Sequence, residues 1–103
     1  MNSVIATRSL LYSSKGESKK KSLIVKIFEP QLIDTSEVDY PVPLGASSCR
    51  IEIEGLPEDF VEEVHGADSI QALAFAIEID GFLRFLQKKY DIFWASGEPY
   101  FED

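Results

Sequence analysis

His65, Asp68 and Ser69 fall within five positions of one another and carry the three groups of a hydrolytic triad. A triad is defined by geometry, with a carboxylate orienting the histidine that activates the serine. Here Asp68 and Ser69 open a run of helix formers, where a side-chain oxygen caps free backbone N–H groups, and that work explains both residues without catalysis. Cys49 sits on the inward parity of an alternating segment, the setting of an inert buried thiol rather than a thiolate nucleophile. Glu52/Glu54 and Glu62/Glu63 bring carboxylates together as acid–base chemistry requires. Such a pair divides into acid and base only when the two surroundings differ, and a solvated strand face treats both alike. With one cysteine and one histidine in 103 residues, a Cys/His zinc cage cannot be built from one chain. Asp34, Glu37 and Asp39 lack the spacing and the glycine of a calcium loop. The glycines at 16, 45, 55, 66, 81 and 97 are isolated, so no loop clusters backbone N–H groups around a phosphate. The expectation is a chain without catalytic residues, metal or cofactor.

The elements that would carry any site form one domain over residues 1–103, a size that supports a single core. The formal net charge is −8, and it is unevenly placed: Glu17 is the only acid among the first 26 residues, which hold six of the ten basic side chains. An acidic body repels nucleic acid and anionic membrane and attracts basic partners. No apolar run approaches the roughly 20 residues that span a bilayer. With one cysteine and no apolar segment of a secretory signal, the expected compartment is a reducing cytoplasm.

Residues 3–13 are β-prone, with Val4, Ala6, Leu10 and Tyr12 on one parity that Arg8 interrupts. Residues 14–21 read as a basic turn around Gly16, and residues 22–29 as a strand that Pro30 stops. Together they predict an antiparallel hairpin. Residues 31–46 hold Asp34, Glu37, Asp39 and Tyr40 before Pro41, Pro43 and Gly45, which break any regular element. Such a stretch is either a functional loop or a surface crossing whose Leu32, Ile33 and Val38 tuck under the sheet. Residues 47–54 alternate, sending Cys49, Ile51 and Ile53 inward and Arg50, Glu52 and Glu54 outward. Residues 60–65 suit a short helix or an edge strand, and the strand is the reading adopted. Residues 68–90 predict one continuous helix: Asp68 and Gln71 form a capping box, and Ala72, Phe75, Ile79, Phe82, Leu83, Leu86 and Tyr90 form one stripe. A second stripe, Ile70, Leu73 and Ile77, requires cover from loop 31–46, from the C-terminal tail or from another chain. The acidic tail ends in Tyr100 and Phe101, which suit a docking peptide or a flap over that stripe.

Cys49-Arg50-Ile51-Glu52-Ile53-Glu54-Gly55, followed by Gly66-Ala67-Asp68-Ser69-Ile70-Gln71-Ala72-Leu73, resembles a family of small bacterial domains of unknown function. In that family a strand ending in Gly precedes a Gly-x-Asp-Ser-x-Gln-Ala-Leu helix opening. The resemblance covers roughly residues 47–86 and implies an α+β domain with strands first and one main helix. It carries over no catalytic residues.

The fold expected is α+β, an antiparallel sheet of three to four strands with one main helix on one face. The function expected is non-catalytic binding of a basic protein, most concretely by an acidic bacterial immunity or inhibitor protein that masks a toxin. Asp34, Glu37, Asp39, Tyr40, Glu58, Asp59, Glu62 and Glu63 would steer and pair with the partner's Lys and Arg. Two alternatives accompany it: a homodimer joined through Ile70, Leu73 and Ile77, and a small-ligand binder or enzyme with a pocket under loop 31–46.

Overall fold

A computed structural model describes residues 3–33 and 45–102. Within them the order is β1 (Val4–Ser14), β2 (Lys21–Phe28), β3 (Gln31–Leu32), β4 (Ser47–Glu54), β5 (Phe60–Gly66), α1 (Ser69–Ala76), α2 (Asp80–Leu86) and β6 (Tyr90–Trp94). The architecture is α+β, with one antiparallel sheet of six strands rather than three or four. Two of the additional strands left little trace in sequence. β3 is two residues long, and β6 follows directly on a helical pattern.

β1 and β2 form the expected hairpin, closed by Gly16 at φ +81° and by the Glu17 N–H donating to Ser14 O at 2.9 Å. β4 pairs β2 through Ile51–Glu54 and β5 through Ser47–Ile53, so these neighbours lie on opposite edges of β4. β3 meets Ser47 and Ser48 on the same edge as β2, shifted by one residue, and so continues β2 past Pro30. The sheet therefore runs β5, β4, β2 with β3, β1, β6. Leu32 points away from the core and is 74% exposed.

One face of the sheet carries the core. Leu10, Tyr12, Leu23, Val25, Ile27, Cys49, Ile51, Ile53, Tyr90 and Ile92 all project to it and are buried. The alternation expected of β4 is obeyed without exception: Cys49, Ile51 and Ile53 are inside, and Arg50 and Glu54 are exposed. Burying one face removes most of the freedom a strand has to slip its register.

The predicted helix over 68–90 is broken. α1 ends at Ala76, the Glu78 N–H turns back to Phe75 O at 3.3 Å, and α2 begins at Asp80. Two distances explain the break. A continuous helix would carry Tyr90 about 33 Å from Asp68, at 1.5 Å per residue. Five ribbons about 4.8 Å apart span only about 19 Å, so that helix would overshoot the sheet. Instead, α1 crosses from β5 and β4 toward the Ala6–Arg8 end of β1. α2 then returns the chain to Tyr90, whose hydroxyl donates to Glu58 in the β4–β5 turn.

The break also changes which residues face the core. Ala72 and Ala76 of α1 are fully buried, whereas Phe75, expected on the inward stripe, is 49% exposed. α1 lies so close to β5 that a Cβ on Gly66 would stand 2.4 Å from the Ala72 nitrogen. At that separation alanine fits beneath the helix and phenylalanine does not. The expected cap is present with its return bond shifted by one residue: Asp68 Oδ1 accepts from the Gln71 N–H at 2.8 Å, and Gln71 Oε1 accepts from the N–H of Ala67, just before the cap, at 2.6 Å.

The tail neither projects as a docking peptide nor covers Ile70 and Ile77. It doubles back beside β6, where the Trp94 N–H donates to Glu98 O at 2.8 Å and the Tyr100 N–H to Ile92 O at 2.9 Å. Phe93 and Pro99 form an antiparallel bridge between them. The outer edge of β6 is thereby paired over Ile92–Trp94.

Candidate functional site

Two surfaces lie toward opposite ends of β2. The first surrounds the β4–β5 turn at the Leu23 end. Gly55, at φ +109°, makes the turn, and any Cβ there would strike Ser22 O at 2.4 Å, so this corner requires glycine. Tyr12 Oη donates to Gly55 O at 2.7 Å, and the Tyr12 and Tyr90 rings meet edge to face at 5.2 Å. An open groove beside the turn is lined by Glu52, Glu54, Glu58 and Asp59 with Leu56 and Phe60.

The carboxylates here are not equivalent. Glu58 accepts from the Tyr90 hydroxyl at 2.8 and 3.0 Å, and Lys89 stands 3.6 Å away. The Tyr90 hydrogen bond, joined by the charge of Lys89, holds the Glu58 carboxyl below its ordinary value. Burial, and then the same hydrogen bond, push the Tyr90 phenol up to about 12. Glu54 pairs with Lys26 at 3.0 Å and Glu52 with Arg50 at 2.7 Å. Glu63 faces His65 at 3.2 Å. Asp59 and Glu62 are exposed and have no partner among the described residues. Of the eight acidic and aromatic residues expected to meet a partner, Glu58, Asp59, Glu62 and Glu63 are thus gathered on this turn and on β5. Asp34, Glu37, Asp39 and Tyr40 lie outside the described residues.

β5 is also an open edge. Its inner edge pairs β4, and no backbone hydrogen bond engages its outer edge among the described residues. The opposite edge of the sheet, β6, is paired by the tail.

The second surface lies at the Ile27 end, where β1 is irregular. A bulge between Val4 and Ala6 shifts the β1–β2 register, and the break between α1 and α2 sits above it. Between them is a notch of about 120 Å³, lined by Ala6, Thr7, Arg8, Val25, Ile27, Ile77 and Ile79. Arg8 donates from Nη1 to Tyr100 Oη at 2.7 Å, and Tyr100 Oη donates to Asp80 Oδ1 at 2.6 Å. The guanidinium lies 5.4 Å from the Trp94 ring centre and 6.0 Å from that of Tyr100. Burial and the bond to Asp80 hold the Tyr100 phenol above its ordinary value, with Arg8 opposing them. One signal of this surface was present in the sequence: Arg8 is the charged residue on the apolar parity of β1.

The remaining chemical candidates are dispersed. No hydrogen bond joins His65 to Asp68 or Ser69 among the described residues, where His65 meets Glu63 and Asp68 caps α1. Cys49 is buried, its Sγ donates to Phe28 O at 3.0 Å, and burial raises its pKa. Among the described residues no three His, Cys, Asp or Glu side chains stand close enough to hold a metal ion, and no helix is long and apolar enough to cross a membrane. Of the second helix stripe, Ile70 and Ile77 are 78% and 59% exposed, whereas Leu73 packs partly into the core.

Compared with protein-family profiles, with curated proteins and with solved structures, the chain matches none.

Proposed function

We propose that this chain is a non-catalytic protein-binding module that recognises a basic protein through β5 and the β4–β5 turn. The observation that carries the reading is the contrast between the sheet's two edges. β6 is paired by its own tail, whereas β5 has no backbone partner on its outer edge among the described residues and is flanked by Asp59, Glu62 and Glu63. An unpaired edge is a template for another strand, and charge on it decides which strand is admitted. Two copies meeting edge to edge would oppose carboxylate to carboxylate, whereas a Lys- and Arg-bearing strand would be drawn in. The most concrete form of this function is an immunity or inhibitor protein whose acidic edge masks a basic active site in a bacterial cytoplasm.

A labelled peptide of alternating lysine and valine is the probe. Its affinity, followed by fluorescence anisotropy, should fall steeply with added salt. Reversing both exposed charges, Glu62→Lys with Glu63→Lys, should weaken it by roughly tenfold or more. Binding that ignores salt, or that survives the double reversal, would refute the reading. A symmetric contact between two copies through Ile70 and Ile77 is the second reading, favoured by the exposure of both side chains. It differs from the first in persisting at high salt.

A further inference from the structure

We propose that the notch between the β1 bulge and the α1–α2 break binds a small aliphatic monocarboxylate. Arg8 would pair the carboxylate, and Val25, Ile27, Ile77 and Ile79 would hold the chain.

Three independent irregularities meet at this place. β1 departs from regular pairing between Val4 and Ala6. The helical segment breaks at residues 77–79. A charged side chain, Arg8, occupies the apolar parity of its strand, on the same face as the buried Leu10 and Tyr12. Bulges and local breaches of pattern concentrate at functional sites. Here the bulge and the break leave an opening rimmed by the exposed Ala6, Arg8 and Ile77, with the buried Val25, Ile27 and Ile79 as its floor.

Arg8 is held as an anion receptor would be. Its guanidinium lies over the rings of Trp94 and Tyr100, and the Tyr100 hydroxyl accepts from Nη1. That bond engages one of the five N–H donors of a guanidinium. No carboxylate is within ion-pairing distance of Arg8 among the described residues, although the body of the protein is strongly acidic. Asp80 is the near acid, and the Tyr100 hydroxyl stands between the two, donating to Asp80 and accepting from Arg8.

The chemistry of the ligand follows from these contacts. One guanidinium forks onto one carboxylate, with two parallel N–H···O bonds. A phosphate dianion would want further cations, and Asp80 beyond the tyrosine opposes a second negative charge. The aliphatic walls exclude a polar remainder. An apolar cavity of about 150 Å³ admits a molecule the size of benzene. A notch of about 120 Å³ therefore takes roughly four or five carbons.

Trp94 is the only tryptophan in the chain and lies under Arg8, so its fluorescence reports the site without a label. Pentanoate is the probe, pentanamide its uncharged counterpart and pentylammonium its opposite. Pentanoate should bind with a Kd on the order of 1 mM, the range expected of a ligand of seven heavy atoms. Pentanamide should bind at least tenfold more weakly, and pentylammonium should not compete. Arg8→Gln should abolish the preference for the acid over the amide. Because Arg8→Gln also loses the Tyr100 bond, Ala6→Leu serves as a second variant: it fills the notch, keeps Arg8 and should block pentanoate. Circular dichroism verifies that both variants are folded. Equal binding of acid and amide, preference for the ammonium, no response to pentanoate, or unchanged pentanoate binding in a folded Ala6→Leu variant would each overturn the proposal.

Discussion

Replacing Gly66 by alanine tests the packing argument on which the fold rests. Its backbone is not in the left-handed region, so alanine meets no conformational strain there. The obstacle is contact. The added methyl would lie 2.4 Å from Ala72 N, 2.8 Å from Gln71 C and 2.9 Å from Ala72 Cα, all of them backbone, whereas ordinary contact begins at 3.4 Å. No side chain can rotate aside, so α1 must retreat from β5 by about 1 Å. Overpacking of this kind costs about 1–3 kcal/mol. A gap of up to 1 Å over Ala72 and Ala76 forfeits a quarter to a half of their dispersion contacts, which places the cost toward the upper end of that range. For a domain of this size about 2–3 kcal/mol lowers Tm by roughly 10 °C or more. Gly81 is the control. It lies in α2, has an ordinary φ, and nothing stands within 4 Å of an added Cβ. Gly81→Ala should stabilise by about 0.5–1 kcal/mol, a rise in Tm of a few degrees. Both variants are read by thermal and urea denaturation followed by circular dichroism. If Gly66→Ala melts within two or three degrees of the parent, or if both variants shift the same way, the close seating of α1 is wrong.

The Tyr90 phenol, raised from 10.0 to about 12 in the fold, makes stability pH-dependent. Folding favours the protonated phenol, so this contribution is complete below pH 10 and is lost as pH rises from 10 toward 12. Tyr90→Phe cannot ionise and should flatten that limb of an alkaline denaturation curve; an unchanged limb would contradict the assignment. Cys49, buried with its pKa raised, should react with a disulfide reagent at pH 8 far more slowly in the native protein than in denaturant. Rapid stoichiometric labelling of the folded protein would show the thiol to be accessible.

Features that depend on one strand or one turn of helix were legible in the sequence. Cys49, Ile51 and Ile53 alternate with charged residues because one face of β4 is buried and the other is wet. Asp68 and Gln71 declare a helix start because the cap is a local hydrogen-bond exchange. Features that depend on two distant segments were not legible. Periodicity carries a stripe from Phe75 through Ile79 to Phe82, and only the Gly66–Ala72 approach and the width of the sheet turn Phe75 outward and break the helix. Tyr90 and Ile92 had the parity of a strand, but five residues after a helical run are too few to set a period. The tail's aromatics showed that something would be covered; that it is the edge of β6 depends on backbone pairing, which no side-chain pattern records. Glu58, Asp59, Glu62 and Glu63 were singled out by charge alone. Sequence did not show that Tyr90 engages Glu58 while Asp59 and Glu62 have no partner among the described residues.

The break between the helices and the notch beneath it have one cause. Gly66 lets α1 sit close to β5, and that seat directs α1 across the sheet rather than along it. The sheet is about 19 Å wide in this direction, room for about three and a half turns of helix at 5.4 Å per turn, far fewer than the six of a continuous helix over 68–90. The chain must then reverse to deliver Tyr90 to the far edge. It does so over the Ala6–Arg8 end of β1, where the bulge has already drawn the strand out of register, and the reversal leaves Ile77 exposed instead of buried. The walls of the notch therefore come from β1, β2 and the helix junction, elements that the core itself fixes through Val25, Ile27 and Ile79. Arg8 is the charged residue there, exposed and held by Tyr100 and Trp94. An apolar residue at that position would extend the stripe of Leu10 and Tyr12 onto the same face. The charge at position 8 engages Tyr100 and Trp94 within the fold, and the proposed carboxylate would take its remaining donors.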